Sequence, residues 1–373
     1  MKKGLKQTMI MLGMCICLSG CGKEAKETKP QIEPNTEDTV KVTDDTVQSE
    51  DGNFFPESYS EQTEKIKIEC LLNVPEKFDV SNFHAPVIKG FSYIDSETAY
   101  AKYVEGKVIS EEHHDEPIYE NVKNDTYVLE DGTLVGLTGD FIYYKPEAAT
   151  YRQVVRASER SAPKDNFEFA TGDECTEQVR EKLKEIGFPV EEYQFDWFST
   201  SGEDYAILEQ RALDDGMLDS QSVKSDGWTE ADSTYEIYGW QLYEGLQVLP
   251  QVMTSAMTRA VESYQKAPVS ALYTKQGMLS LSTSTPTVIF EQSDEVLEFL
   301  PFSEIADVVI QKYNDLLDDI FYTANYAKLV LRTYYDEKQQ LTAEPIWYFE
   351  VTDGNSLEIV LVNAVTGEEI FLN

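Results

Sequence analysis

The chain has 373 residues, of which 41% are hydrophobic and 27% charged, and its formal net charge is −37 at pH 7. This length and apolar content suffice for a buried core in one or two domains. The acidity excludes nucleic acid as a partner, because binding to phosphate needs Lys and Arg, and it opposes binding to anionic lipid. Most of the charge is expected to form a solvated surface, with weak calcium binding or a basic partner as the alternatives.

Residues 1–20 have the pattern of a secretory signal peptide. The opening "MKKGLKQ" is basic, and Met9–Leu18 is an apolar stretch. About ten apolar residues fit a signal sequence but fall short of the roughly 20 that a membrane-spanning helix needs. The sequence therefore predicts export.

The signal ends in Leu18-Ser19-Gly20-Cys21, which matches the lipobox pattern Leu-small-small-Cys. This predicts cleavage between Gly20 and Cys21 and a diacylglycerol thioether on the Cys21 thiol. Two acyl chains suffice for stable attachment to a bilayer. We therefore expect a lipid-anchored protein on the extracytoplasmic face of the cell membrane.

Residues 21–60 predict a disordered acidic tether. Lys, Glu, Thr, Asp and Pro dominate this stretch, and such a composition buries too little apolar surface to offset the entropy of ordering. A flexible chain of about 35 residues has a root-mean-square reach of roughly 30–35 Å, which would lift a folded domain off the membrane.

Residues 61–165 form a predicted β-rich region. "KIKIECLLNVP" predicts a strand, and "TYVLEDGTLVGLTGDFIYY" (126–144) predicts a meander with turns at its Asp-Gly and Gly-Asp pairs. Between them, "DSETAYAKYVEG" predicts a short helix with Asp95 or Ser96 as N-cap and Gly106 just past its end.

Residues 166–290 predict a first α+β unit. In "TGDECTEQVREKLKEIGFPV", Val179, Leu183 and Ile186 share one helical face and Gly187 terminates the helix. "EEYQFDWFS" predicts a strand, which an inserted helix with loops follows. "STYEIYGWQLYEGLQVLP" and "SALYTKQGMLSLSTSTP" predict two strand pairs.

Residues 291–373 predict a second unit of the same build. "PFSEIADVVIQKYNDLLDD" predicts an amphipathic helix with Ser303 as N-cap. "YAKLVLRTYYDE", "IWYFEV" and "LEIVLVN" predict three strands, with Pro345 at the start of the second, where its missing N–H costs least. The order helix, strand, strand, strand thus recurs at a spacing of about 130 residues, which indicates a duplication and an α+β fold of antiparallel sheets with helices packed on one face.

The histidines do not have the spacing of a zinc hydrolase. His84 stands alone, and His113 and His114 are adjacent rather than one helical turn apart, as H-E-x-x-H requires. The stretch "SEEHHDEP" could bind a metal through these two histidines and the neighbouring carboxylates of Glu111, Glu112, Asp115 and Glu116. A solvated acidic loop is the favoured interpretation, so no metal ligand is assigned.

The sequence assigns no catalytic residue. It contains neither a G-x-S-x-G elbow nor a Walker A loop. Cys70 lies in a predicted buried strand and Cys175 has no flanking motif, and whether the two pair stays open. With 68 acidic residues, no carboxylate pair for glycoside hydrolysis can be singled out. The acidic stretches 130–133 and 212–222 lack EF-hand spacing and predict turns.

Aromatic residues make up 12% of the chain and form several clusters. Such clusters can bind sugars or peptides, but in alternating strands they are more often core on one face and cover on the other. The clusters are Tyr143-Tyr144, Tyr238–Trp240, Tyr334-Tyr335 and Trp347-Tyr348-Phe349.

The last unit resembles the PepSY-like pattern, in which a helix, a strand and a Pro-x-Trp strand lead to an apolar strand ending in Asn-Ala-x-Thr-Gly-Glu. These features are Pro345-Ile346-Trp347 and Asn363–Glu368, and they cover residues 303–373. The unit from 166 resembles the first half of uncharacterised lipoproteins of Clostridia (Firmicutes), and the tandem build is similar to membrane-anchored regulators of the YycH/YycI type. Residues 60–165 lie outside this resemblance.

The resemblance implies a module that binds or inhibits another protein of the cell envelope. It brings no catalytic, cofactor or metal residues. The expected partners are the membrane, through the lipid on Cys21, and an envelope protein that adds a strand to an exposed sheet edge. An envelope hydrolase and a solute-binding lipoprotein are the alternatives, and the oligomeric state stays open.

Overall fold

The structure is a computed structural model that describes residues 54–76, 78–117, 122–145, 164–216, 218, 223–249, 267–284, 287–354 and 356–371. All of these residues belong to one compact unit. The predicted signal peptide, Cys21 and nearly all of the predicted tether lie outside them.

The elements are named here in chain order. The first part of the chain forms β1 (Ser58–Gln62), β2 (Ile66–Asn73), β3 (His84–Ser92), α1 (Ser96–Tyr103), β4 (Ile109–His114), β5 (Asp125–Leu129), β6 (Leu134–Leu137) and β7 (Phe141–Tyr144). The middle part forms α2 (Gly172–Glu185), β8 (Tyr193–Thr200), α3 (Gly202–Asp214), β9 (Thr234–Tyr243), β10 (Leu246–Leu249), β11 (Val269–Thr274) and β12 (Gly277–Thr283). The last part forms β13 (Thr287–Val296), α4 (Phe302–Asn314), β14 (Tyr322–Tyr335), β15 (Leu341–Thr352), β16 (Leu357–Asn363) and β17 (Glu369–Ile370).

Fifteen of the described strands form one large sheet, in the order β17-β16-β15-β14-β10-β9-β11-β12-β7-β6-β5-β4. β2 lies beside the first half of β14 and carries β1, and β8 lies along β9. The pairs are antiparallel except β2 with β14 and β10 with β14. The α+β prediction, with helices packed on antiparallel sheet, is confirmed.

The α4 core lies between α4 and the strands around β14 and β15. Ile305, Val309 and Tyr313 of α4 are fully buried there. Phe302 packs on Trp347 and Phe349, with ring centroids 4.6 and 5.8 Å apart.

The start of α4 corrects one prediction. Ser303 lies inside the helix, and Pro301 is the N-cap, with no side-chain cap. The helix begins two residues earlier than predicted because Phe302 is buried against Trp347, and this burial outweighs a hydroxyl cap worth about 1 kcal/mol. Pro345 also differs from its prediction, because it lies within β15 rather than at its start.

The α2 core lies between α2, α1 and the strands around β9. Cys175, Val179 and Leu183 of α2 are fully buried against Tyr235 and Ile237 of β9. Thr171 is the N-cap of α2 and forms a capping box with Glu174, which satisfies backbone N–H groups at the start of the helix.

A two-stranded ribbon of β3 and β13 connects the two cores. It is fastened to β9 by a side chain: the Gln241 amide donates to the Val288 carbonyl at 2.6 Å and accepts from the Val288 N–H at 3.0 Å. Gln241 is 3% exposed. The Gln241 side-chain amide therefore makes the two backbone hydrogen bonds to Val288 that a neighbouring strand would otherwise make.

The first part of the chain is not a separate layer. β1 and β2 join the α4 core, β3 joins the ribbon, and β4–β7 extend the sheet of the α2 core. The tether boundary predicted at residue 60 falls inside β1. The folded part of the chain begins earlier than predicted, since Phe55 is already buried, with its ring 5.2 Å from that of Trp347. The described helices include none with the length and apolar character of a membrane span.

Replacing Gln241 by Leu is expected to lower the free energy of unfolding by about 2–4 kcal/mol, because two buried backbone groups of Val288 lose their partners. The measurement is urea denaturation. Gln194→Leu, at an exposed position of β8, is the control and should stay within about 0.5 kcal/mol. Equal stability of the two variants would show that Gln241 does not fasten the ribbon.

Candidate functional site

Both cysteines are buried in hydrophobic cores, away from solvent. Cys70 lies in the α4 core and Cys175 in the α2 core, and neither forms a disulfide. Burial raises the pKa of the Cys70 thiol to about 11. Burial, helped by the neighbouring Glu174 carboxylate, raises the pKa of Cys175 to about 12. Both thiols therefore stay protonated at neutral pH and lack nucleophilic character.

Two of the described carboxyl groups, those of Asp140 and Asp307, have a raised pKa, as a general acid needs. Burial, helped by the charges of Glu61 and Glu304, raises the pKa of Asp307 on α4. Burial alone raises the pKa of Asp140, in the turn between β6 and β7, to about 6, so no neighbouring charge acts on it. A shallow groove on α2 is lined by Glu174, Glu177 and Glu181 beside Phe169. Hydrogen bonds with Thr171 lower the pKa of Glu174, which is the wrong direction for a general acid.

The acidic stretch at 130–133 is a turn, as predicted. The Asp131 carboxylate accepts from the Thr133 backbone N–H at 3.0 Å, and Gly132 has a φ of 81°. The stretch 212–222 lies partly outside the described residues. Within the described ranges, no group of three or more His, Cys, Asp or Glu residues is arranged to hold a metal ion.

The three histidines of the chain lie at two different places in the fold. His84 starts β3, where its backbone N–H donates to the Glu244 carboxylate at 2.7 Å and its Nδ1 lies 3.2 Å from the same group. His113 and His114 lie on β4. The prediction of a loop there is wrong, because the stretch pairs with β5, with a shift of register after Ile109 and regular pairing from Glu111 to His114.

β4 is an edge strand of the large sheet. Among the described strands its partner is β5, and the order of these strands ends with it. All of its residues except Ile109 are exposed, and the exposure continues through Asp115 and Glu116. The strand therefore presents one side of its backbone to solvent.

The backbone groups that face outward follow from the hydrogen bonds to β5. The Asp115 N–H donates to the Asn124 carbonyl at 2.9 Å. Because backbone groups alternate in direction along an antiparallel pair, Glu111 and His113 also point at β5. The N–H and C=O groups of Glu112 and His114 therefore point away from the sheet.

The side chains of β4 form two rows. His114 Nδ1 lies 2.8 Å from an Asp125 oxygen, and its Nε2 lies 3.7 Å from the Glu112 carboxylate. On the opposite face, His113 Nε2 lies 3.2 Å from the Glu111 carboxylate. The hydrogen bond with Asp125, together with the carboxylate charges, raises the pKa of His114.

On β8 a side chain occupies one backbone donor. The Trp197 N–H donates to the Asp196 carboxylate at 2.8 Å, and Lys164, from outside the strand, pairs with the same carboxylate at 2.5 Å. β1 is also paired on one side, but it carries a single charge, that of Glu61. β4 therefore combines an open backbone with a dense set of charges, and we take it as the candidate binding site.

The comparisons with known proteins bear on the fold. The chain is similar to an uncharacterized protein from Eubacterium rectale ATCC 33656, known from a 1.45 Å crystal structure, with a TM-score of 0.56 and 12% identity over 85% of this chain and 94% of that one. At this identity the likeness concerns the fold alone. The Bacillus megaterium YpeB C-terminal domain aligns over 75% of this chain and 95% of that domain at 8% identity. Its TM-score of 0.30 is too low to support an inference about this chain. No family model and no curated protein matches the chain.

The edge role of the two histidines was not visible in the sequence. "ISEEHH" lacks the apolar alternation that marks a half-buried strand. The one available signal was the length of polar chain between the short helix and the meander, which is enough for one more strand. Cys21 lies outside the described residues, so its lipidation stays a prediction.

Replacing Asp125 by Asn is expected to lower the pKa of His114, because it removes the main group that stabilises the imidazolium. A raised pKa means that the protonated form stabilises the fold at acidic pH, and that this contribution is lost as pH rises through the folded-state pKa. The measurement is an NMR titration of His114. Glu111→Gln, on the opposite face, serves as control, and an unchanged midpoint in Asp125→Asn would show that the pair does not form.

Proposed function

We propose that this protein is a lipid-anchored, extracytoplasmic module that binds another protein of the cell envelope and carries out no catalysis of its own. The carrying observation is the open edge of β4, where two residues direct both backbone hydrogen-bonding groups into solvent. Extended segments bind such edges by adding a strand, with affinity from main-chain hydrogen bonds. The partner's segment would lie along β4 and extend the sheet by one strand.

The proposed anchor explains how the edge meets its partner. A lipid on Cys21 and a tether that reaches roughly 30–35 Å would confine the folded domain to a thin layer above the membrane. Confinement raises the effective concentration of a partner in the same membrane. A weak strand addition would then suffice for binding in the envelope.

The absence of catalysis is supported by the placement of the reactive groups. The two thiols are buried and protonated at neutral pH. The carboxyl with the most suitable pKa, that of Asp140, owes its shift to burial without a charged partner. Neither thiol is therefore activated as a nucleophile.

The anchor is tested by replacing Cys21. Cys21→Ala is expected to abolish metabolic labelling with a radioactive fatty acid and to move the protein out of the membrane fraction, since the thiol is the acceptor of the lipid. Cys17→Ala, inside the predicted signal, is the matched control and should leave both unchanged. Continued labelling of Cys21→Ala would contradict the assignment of the lipid to Cys21.

The binding role is tested by copurification from detergent-solubilised membranes. Wild type is expected to retain a protein of the envelope, whereas Glu112→Pro should lose it, because proline removes an outward N–H without touching a hydrogen bond to β5. Glu112→Gln keeps the backbone and should retain part of the partner. Identical retention by wild type and Glu112→Pro, or no partner at all, would sink the proposal.

A further inference from the structure

We infer that the segment which pairs with β4 is basic, with Lys or Arg at alternating positions. This inference rests on the proposed function, because it names the chemistry of the partner at the same edge. It begins from the charges that surround the two outward-facing backbone positions of β4.

The surroundings of the edge are negative. β4 and the adjoining β5 contain no Lys or Arg. Their carboxylates, together with those that directly follow β4, are Glu111, Glu112, Asp115, Glu116 and Asp125. The two lysines nearest in sequence, Lys107 before β4 and Lys123 before β5, lie over the rings of Tyr103 and Tyr100, 6.0 and 5.8 Å from their centroids. The edge therefore carries five carboxylates, against the two histidines His113 and His114 of β4.

The carboxylates stand where an added strand would place its side chains. Residues directly opposite in neighbouring strands have Cβ atoms about 4.5–5.5 Å apart. Glu111 lies in one row of β4, which Asp115 continues just after the strand, and Glu112 lies in the other row, near Asp125 across the His114 ring. A basic side chain at every second position of the added strand would face a carboxylate of one row.

The same charges argue against other occupants. A second copy would bring an equally acidic strand to the edge, and like charges directly opposite destabilise a strand pair. Anionic lipid is repelled in the same way. The carboxylates attract a basic segment. They therefore disfavour a second copy or anionic lipid and favour a basic partner strand.

The preference is expected to be moderate. Exposed cross-strand ion pairs each contribute little, and two or three together should favour a basic over a neutral segment by about tenfold, which corresponds to about 1.4 kcal/mol. The preference should fall with added salt, because exposed charges are screened over about 10 Å at 0.1 M ionic strength.

The test must separate strand addition from general attraction to a chain of net charge −37. Four synthetic peptides serve as probes against the full mature chain in detergent: basic VKTKVKT, neutral VSTSVST, acidic VETEVET, and VKPKVKP, which has the charge of the first but lacks two N–H donors. Fluorescence anisotropy gives the affinity of each. Hydrogen exchange on Glu112 and His114 shows whether a bound peptide covers β4.

The expected result is protection of these two amides by VKTKVKT, with affinity about tenfold above that of VSTSVST and no binding of VETEVET. VKPKVKP should bind far more weakly than VKTKVKT, and Glu112→Pro should reduce VKTKVKT to the level of VKPKVKP. Glu112→Gln should lose only part of the affinity.

Four results would overturn the inference. Equal binding of VKPKVKP and VKTKVKT would mean attraction by net charge alone. Equal binding of VSTSVST and VKTKVKT, with β4 protected by both, would refute the basic partner while strand addition stands. Failure of every peptide to protect β4 would refute the basic partner together with its site. Self-association that Glu112→Pro abolishes would mean that β4 pairs with a second copy of the chain, and would refute the basic partner.

Discussion

The large sheet depends on β9. This strand pairs with neighbouring strands on both of its sides and leads into β10, which joins the part of the sheet under α2 to the part under α4. β8 and β11 pair with opposite sides of β9, and β10, joined to it by a tight turn, also pairs with β14. The fit around β9 leaves no room at Gly239, where an added Cβ would lie 2.8 Å from the Phe195 ring. The two helix-covered cores thereby share one sheet, and the Gln241 amide fastens the ribbon that runs beside it.

A sheet built in this way uses most of its backbone groups internally and leaves few edges open. On β8, Asp196 accepts from the Trp197 N–H, and β17 pairs with part of β16. Among the described strands, β1 and β4 each pair on one side, and β4 carries charge instead of cover, a common protection of natural edge strands against one another. The carboxylates that repel an acidic strand would attract a basic one. Under the proposed function, the strong acidity of the chain thus has a place in the fold where it would select a partner.

Local patterns predicted the elements that bury one face, and non-local pairings escaped prediction. The apolar face of Val179 and Leu183 predicted α2, and the turn residues of the meander predicted β5–β7. Both the spacing of apolar residues and the turn residues are local signals. The pairing of β3 with β13 joins residues about 200 positions apart, and no local pattern encodes it. β4 was missed because it is polar on both faces. The closing Asn-Ala-Val-Thr-Gly-Glu stretch is structural: Asn363 Oδ1 accepts from the Val365 and Thr366 N–H groups at 2.8 and 2.9 Å.

The central claim is that the outer side of β4 is open to a partner strand. Residue-resolved amide hydrogen exchange on the unbound protein tests it most directly. The account predicts that the amides of Glu112 and His114 exchange at least about tenfold faster than those of Glu111 and His113, which are bonded to β5. Equal protection of all four amides would mean that the outer side of β4 is already covered, and it would contradict the account.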